Sequence, residues 1–285
     1  MLTPFSEDGS IDFKQLEKNT DYLIDNGINY LVVLGTTAET PTLSKKEKVE
    51  IIDVTKAANS NRVPMIVGAG GNNTAEVIDW IQEIGSQGID AYLSVAPYYN
   101  KPSQEGMKSH FSAIASCADI PLMLYNVPGR TGSNIAASTT LELAYDLGEK
   151  IAAIKEASGD FSQIMAILKD KPANFRLISG DDAIALPMIS LGADGVVSVI
   201  GNALPEILSR MIREALSGDF EKARSKHFQL LPLIELIFRE GNPAGVKTLM
   251  ELMGLGKSNL RLPLIPATIG LQQDLVKAIK TLQAS

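Results

Sequence analysis

Apolar runs of four or five residues recur along the first two thirds of the chain, each followed by a stretch with helical period. The runs Tyr30–Leu34, Val63–Val67, Ala91–Val95, Pro121–Tyr125, Ala152–Lys155, Arg176–Ser179 and Gly195–Val199 predict strands. They are rich in Val, Ile and Leu and nearly continuous in hydrophobicity, the mark of strands covered on both faces. Asp12–Ile24 precedes the first of them. Lys45–Ala58, Thr74–Ser86, Gln104–Ala115, Ser138–Leu147, Phe161–Lys169 and Ile184–Leu191 fall between or after the others and predict helices. Ser44 with Glu47, and Asp160 with Gln163, have capping-box spacing.

Strands every roughly 20–30 residues, alternating with helices, fit an α/β fold of the (β/α)8 TIM-barrel type better than an open sheet. Eight strands require one ahead of Asp12–Ile24, where only Met1-Leu2 precede Thr3-Pro4-Phe5. The first strand therefore reads as truncated, by a late start or as a true stub. Past Ser217 the strand pattern ends, and Asp219–Arg239, Pro243–Met253 and Leu271–Gln283 predict helices. The expected organisation is a barrel over residues 1–217 and a helical appendage over 218–285.

With 45% hydrophobic and 21% charged residues the chain reads as soluble and globular, and no apolar stretch reaches bilayer length. The single Cys117 excludes an internal disulfide and suggests a reducing compartment, so a cytoplasmic location is expected. His110 and His227 lack metal-ligand spacing, so no metal is expected. A net charge of −7 argues against nucleic-acid binding and requires a locally positive pocket for any anionic substrate.

Function in a barrel sits at the C-terminal ends of the strands. There Lys155 closes the run Ile151-Ala-Ala-Ile-Lys155. Burial favours the neutral amine, a nucleophile toward carbonyls, whereas a loop lysine would snorkel into water. Gly35-Thr36-Thr37 offers N–H groups and hydroxyls to a carboxylate or phosphate, and by itself is also an ordinary βα turn with threonine caps. Tyr98, Tyr99 and Tyr125 are strand-end hydroxyls suited to proton relay, or rim residues. Arg130 can grip a carboxylate with both arms of its fork. Asp181 and Asp182 either orient an ammonium or cap the next helix. Gly68-Ala-Gly70-Gly71 lacks the third glycine of a dinucleotide fingerprint and reads as a loop passing close to the pocket. The set points to imine chemistry on carboxylate-bearing carbonyl compounds.

Gly35-Thr36-Thr37-Ala38-Glu39, Tyr125-Asn126-Val127-Pro128, Ile154-Lys155-Glu156 and Ser179-Gly180-Asp181-Asp182 resemble the pyruvate-dependent class I aldolases, the family of dihydrodipicolinate synthase and N-acetylneuraminate lyase. Tyr98 to Gly106 and Val127-Pro128-Gly129-Arg130 are similar to the synthase branch, and Ala38 departs from the family's usual glycine. The resemblance implies a lysine Schiff base on Lys155 and condensation of pyruvate with L-aspartate 4-semialdehyde in lysine and diaminopimelate biosynthesis, with no cofactor. It assigns catalysis to Lys155, Tyr125, Thr37 and Tyr99, with Tyr99 reaching across a tight dimer of a homotetramer. It assigns substrate binding to Thr36, Thr37, Arg130 and Val197. A lysine-inhibition cleft would involve Thr40, Lys45, Lys48, Asn72, Glu76 and Tyr98. Lys45 and Lys48 stand where inhibitable members often have histidines, so weak or absent lysine inhibition is expected. The alternatives are an aldolase for a 2-keto-3-deoxy sugar acid, or a binding barrel without catalysis.

Overall fold

A computed structural model describes residues Met1–Ala284. Contacts divide the chain into two compact units, Met1–Pro64 with Ser198–Ser285, and Met65–Val197.

In the first unit, Asp12 caps α1 (Phe13–Asp25) by accepting from the Gln15 N–H. β1 (Leu31–Val33) is fully buried. Ser44 and Glu47 then form the reciprocal capping box that opens α2 (Lys45–Asn59). Ahead of α1 there is a single antiparallel bridge, Phe5 to Ile11, and the Met1 ammonium donates to the Val32 carbonyl.

The second unit carries β2 (Met65–Gly68), α3 (Thr74–Ile84), β3 (Ala91–Val95), α4 (Gln104–Cys117) and β4 (Leu122–Asn126). It continues with α5 (Pro128–Thr131), α6 (Ala137–Leu147), β5 (Ile151–Glu156), α7 (Phe161–Asp170), β6 (Arg176–Ser179), α8 (Ala185–Ser190) and β7 (Gly195–Val196). Strands β2 to β7 pair in parallel and in chain order. β4 is buried along its whole length, as a strand covered on both faces must be.

The remainder of the first unit is α9 (Pro205–Leu216), α10 (Phe220–Arg239), α11 (Ala244–Leu252) and α12 (Ile269–Gln283). The helix α9 is absent from the sequence reading, yet its signal is there. Pro205 occupies the first turn, and Leu208, Met211, Ile212 and Ala215 recur at helical spacing and are buried. The strand predicted to Val199 stops at Val196, because the chain turns into a single 3-10 turn at Ile200–Asn202. Asp160 caps α7 through the Ser162 and Gln163 N–H groups. The return half of a capping box is missing, since the Gln163 amide is drawn to Glu156 and Asn134.

One buried histidine makes the second unit acid-sensitive. His110 on α4 meets the Thr74 hydroxyl through Nδ1 at 2.9 Å, and its buried Nε2 has no hydrogen-bond partner among the described residues. Burial pushes its pKa down from 6.5 to about 4. The unfolded chain therefore takes up a proton that the native chain refuses, and stability falls as pH drops from about 6.5 through about 4. Denaturant titrations at pH 7 and pH 4.5 are expected to show a loss of about 2–3 kcal/mol from this group. A His110→Asn variant should lack that part of the pH dependence.

Candidate active site

Strand register decides which polar side chains meet. Tyr125 on β4 and Lys155 on β5 are Cα partners, and Lys155 is in turn paired with Ile178 on β6. The Lys155 side chain is 8% exposed, and its Nζ lies 4.0 Å from the centre of the Tyr125 ring. Among the described residues that amine makes no ion pair or hydrogen bond. Space for its stem comes from Gly180: a Cβ there would stand 2.9 Å from Lys155 Cε, 3.1 Å from Cγ and 2.7 Å from Ala157 Cβ.

Because strand side chains alternate, the next residue, Glu156, points the other way, into a buried polar cluster. Its carboxylate accepts from Asn126 Nδ2 at 3.0 Å, Gln163 Nε2 at 3.0 Å and the Ser158 N–H at 2.7 Å. Asn126 also donates to Asn134 and accepts from the Ile135 N–H. The ends of β4 and β5 are thus tied to each other and to the helical layer, which fixes the strand positions carrying Tyr125 and Lys155.

Arg130 lies on α5, too short an element for sequence periodicity to show. Its guanidinium is exposed and has no ion-pair partner among the described residues. Tyr99 is 89% exposed and sits at φ +70°, in a loop whose Lys101 is also left-handed. The Asn72 amide donates to the Tyr98 carbonyl, and the first turn of α3 carries Glu76 nearby in sequence, bonded to Asn73. Val197 follows β7, and its N–H donates to the Ser179 carbonyl. Asp181 accepts from the Ala183 N–H and so shapes the turn into α8. Gly70 is explained by backbone proximity, since a Cβ would stand 2.5 Å from the Val95 nitrogen.

In the first unit, Thr36–Ala38 form one 3-10 turn. Thr37 Oγ1 accepts from Asn242 Nδ2 at 2.9 Å, and Thr40 Oγ1 donates to the Gly35 carbonyl. Lys45 and Lys48 start α2, and burial first, then the Lys45 charge, pulls the Lys48 pKa below the usual lysine range. The sequence reading overlooked Glu39, Lys247 and Asn242 as functional candidates, although each is buried and polar. Among the described residues no cluster of three or more His, Cys, Asp or Glu is placed to hold a metal, and no helix is long and apolar enough to cross a membrane.

A family model for the dihydrodipicolinate synthetase family matches residues 1–282. The chain is 49% identical over 282 residues to a 4-hydroxy-tetrahydrodipicolinate synthase of Parabacteroides distasonis, a match covering 99% of this chain and 95% of the relative. Among solved structures it is similar to a chloride-inhibited dihydrodipicolinate synthase from Acinetobacter baumannii complexed with pyruvate. That match has a TM-score of 0.96 and 37% identity, and covers 99% of this chain and 97% of the other. It is also similar to the lysine-bound enzyme of Cyanidioschyzon merolae, with a TM-score of 0.95 and 39% identity, covering 100% of this chain and 97% of the other. The fold class is accordingly α/β, a (β/α)8 barrel followed by C-terminal helices. With a family model matched almost from end to end, and a relative 49% identical over nearly the whole length of both chains, the chain belongs to the dihydrodipicolinate synthetase family.

Proposed function

We infer that the chain is a Schiff-base-forming lyase that condenses pyruvate with L-aspartate 4-semialdehyde to give 4-hydroxy-tetrahydrodipicolinate, a step of lysine and diaminopimelate biosynthesis. The observation that carries the reading is the buried Lys155 amine, unpaired by a carboxylate among the described residues, against the Tyr125 ring at the end of β5. Such an amine is held in reserve as a nucleophile instead of being spent in a salt bridge.

Lys155 attacks C2 of pyruvate and expels water to form an imine. A methyl proton then leaves, giving an enamine, and Tyr125 relays protons with Thr37 and with a tyrosine of a second copy. We assign that last position to Tyr99, whose 89% exposure suits a residue that completes a neighbouring subunit. The Thr36–Thr37 turn takes the keto-acid carboxylate, and Arg130 takes that of the semialdehyde through its exposed fork. Val197 lines the substrate. The enamine carbon attacks the aldehyde to form the new C–C bond. The substrate amine then adds to the imine carbon and displaces Lys155, so that pyruvate and the semialdehyde give the cyclic product and one water. All the groups this scheme uses are side chains, so it needs neither metal nor nucleotide. We take residues 1–217 as the catalytic part and 218–285 as the helical appendage, in a cytoplasmic homotetramer of tight dimers.

The test is NADPH consumption in an assay containing the chain, pyruvate, the semialdehyde and excess dihydrodipicolinate reductase. Robust pyruvate-dependent turnover is expected. No turnover from folded protein would shift the acceptor to a sugar-derived aldehyde, against which the charged Arg130 argues. Separately, valine at position 37 should lower kcat if Thr37 relays protons, whereas valine at position 36 should raise the pyruvate KM.

We further assign Thr40, Lys45, Lys48, Asn72, Glu76 and Tyr98 to a regulatory lysine site whose response is weak or absent here. Two like charges at Lys45 and Lys48 oppose a ligand that is itself a cation. Half-inhibition should therefore require more than about 1 mM lysine, and histidines at positions 45 and 48 should lower that threshold. Inhibition curves on both proteins check it.

A further inference from the structure

Glu39 and Lys247 are each only 2% exposed, and Lys247 Nζ lies 2.5 Å from Glu39 Oε1. The second carboxylate oxygen, Oε2, accepts from the Arg261 N–H at 3.1 Å. Lys247 Nζ also donates to the Asn259 carbonyl at 2.8 Å and stands 4.2 Å from the centre of the Phe5 ring. The Arg261 guanidinium covers that ring at 4.6 Å, grips Glu47 through two nitrogens at 3.0 and 2.5 Å, and donates twice to the Gly9 carbonyl. Arg261 holds the Glu47 pKa down at about 2, and burial lowers that of Lys247 to about 8.

A buried ion pair is poor value for stability, since well-packed apolar residues of the same volume usually do as well or better. Its position suggests another role. Glu39 sits two residues beyond Thr37 with φ +56°, a left-handed conformation that a non-glycine residue keeps only when its surroundings enforce it. Its N–H closes the 3-10 turn onto the Thr36 carbonyl. The same turn is held at Ala38, whose carbonyl accepts from the Thr3 hydroxyl at 2.7 Å, and at Thr37 by the Asn242 amide. An amide nitrogen can only donate, so Thr37 Oγ1 accepts there and keeps its own hydrogen for another acceptor. Asn242 and Lys247 flank the start of α11, which therefore grips the turn at two points.

We propose that the buried Lys247–Glu39 ion pair is a positioning device that holds the Thr36–Thr37 turn as a preformed receptor for the keto-acid carboxylate. It rests on the reading of that turn given above. Its energetic logic is preorganisation: a turn fixed before binding spares the ligand the cost of ordering it.

The test compares Glu39→Gln, which keeps the shape and removes the charge, with the double variant Glu39→Leu, Lys247→Met, which removes both charges and leaves no buried ion uncompensated. In each, the pyruvate KM is expected to rise about tenfold, while kcat at saturating pyruvate and the semialdehyde KM stay within about twofold. Saturating pyruvate with borohydride should still label Lys155 fully. A pyruvate KM within about twofold of the parent, with only the melting temperature lowered, would make the pair structural and overturn the proposal. Loss of the fold in both variants overturns it as well. If the parent protein itself is not labelled by pyruvate and borohydride, the reading of the site fails and takes this proposal with it. A labelled parent with unaltered variants sinks this proposal alone.

Discussion

Replacing Lys155 with methionine is expected to lower pyruvate-dependent turnover by about 10⁴-fold or more while raising stability by about 1 kcal/mol. The first effect follows from covalency, because methionine cannot form the C–N bond on which every later step depends. About 5.5 kcal/mol of barrier is at stake for a factor of 10⁴. The second follows from burial: Lys155 is only 8% exposed, and its Nζ lies against an aromatic face with no hydrogen bond or ion pair among the described residues. A side chain of similar length and no charge should fit that space at lower cost. Opposite signs in activity and stability separate loss of a nucleophile from loss of fold. Intact-mass spectrometry after pyruvate and borohydride should find one reduced pyruvate per parent chain and none on Lys155→Met. Labelling of the variant would move the nucleophile elsewhere, and a destabilised variant would mean that the Lys155 amine is a structural group.

The strands were legible because each is a short apolar run bounded by polar residues, and Ala91–Val95 and Arg176–Ser179 match to the residue. The strand ends proposed to carry the chemistry were legible for the same reason: Tyr125 and Lys155 stand where hydrophobicity stops, and parallel register makes them neighbours. Short-range capping was half legible. The Ser44–Glu47 box forms as spaced, whereas Gln163 abandons Asp160 for a stronger partner, the buried Glu156 carboxylate. Nothing along the chain announces that Lys247 serves Glu39. The two are far apart in sequence, and a lone lysine on an apolar helix reads as one that snorkels to water. Asn242 and Thr37 are separated by 205 residues, a pairing that only the tertiary fold creates. The residues proposed for the chemistry could thus be read one strand at a time, while the groups proposed to hold them in place could not.

One position converts this dependence on exact space into a measurable loss. Gly180 has no unusual backbone requirement, yet an alanine there would place its Cβ 2.7 Å from Ala157 Cβ and 2.9 Å from Lys155 Cε. The lysine stem can swing away, but the Ala157 methyl is anchored to the backbone and cannot. Relief of the Ala157 clash must therefore come from moving the end of β6, and relief of the Lys155 clash from rotating its stem off Tyr125. Either displaces Nζ from its place over the ring, and a shift of about 1 Å at a reacting atom costs about 10²-fold in rate. Gly180→Ala is accordingly expected to lower kcat by about 10²-fold and stability by about 1–3 kcal/mol, the usual cost of overpacking. The rate of borohydride labelling at Lys155 should fall with kcat, because imine formation is the step that senses the displaced amine. Gly270→Ala on α12, where the nearest atom would be 3.7 Å away, controls for the substitution itself and should change neither. Full activity in Gly180→Ala would show that Lys155 reacts from a rotamer other than the one packed against Gly180, and that the groove between β5 and β6 has no part in aiming it.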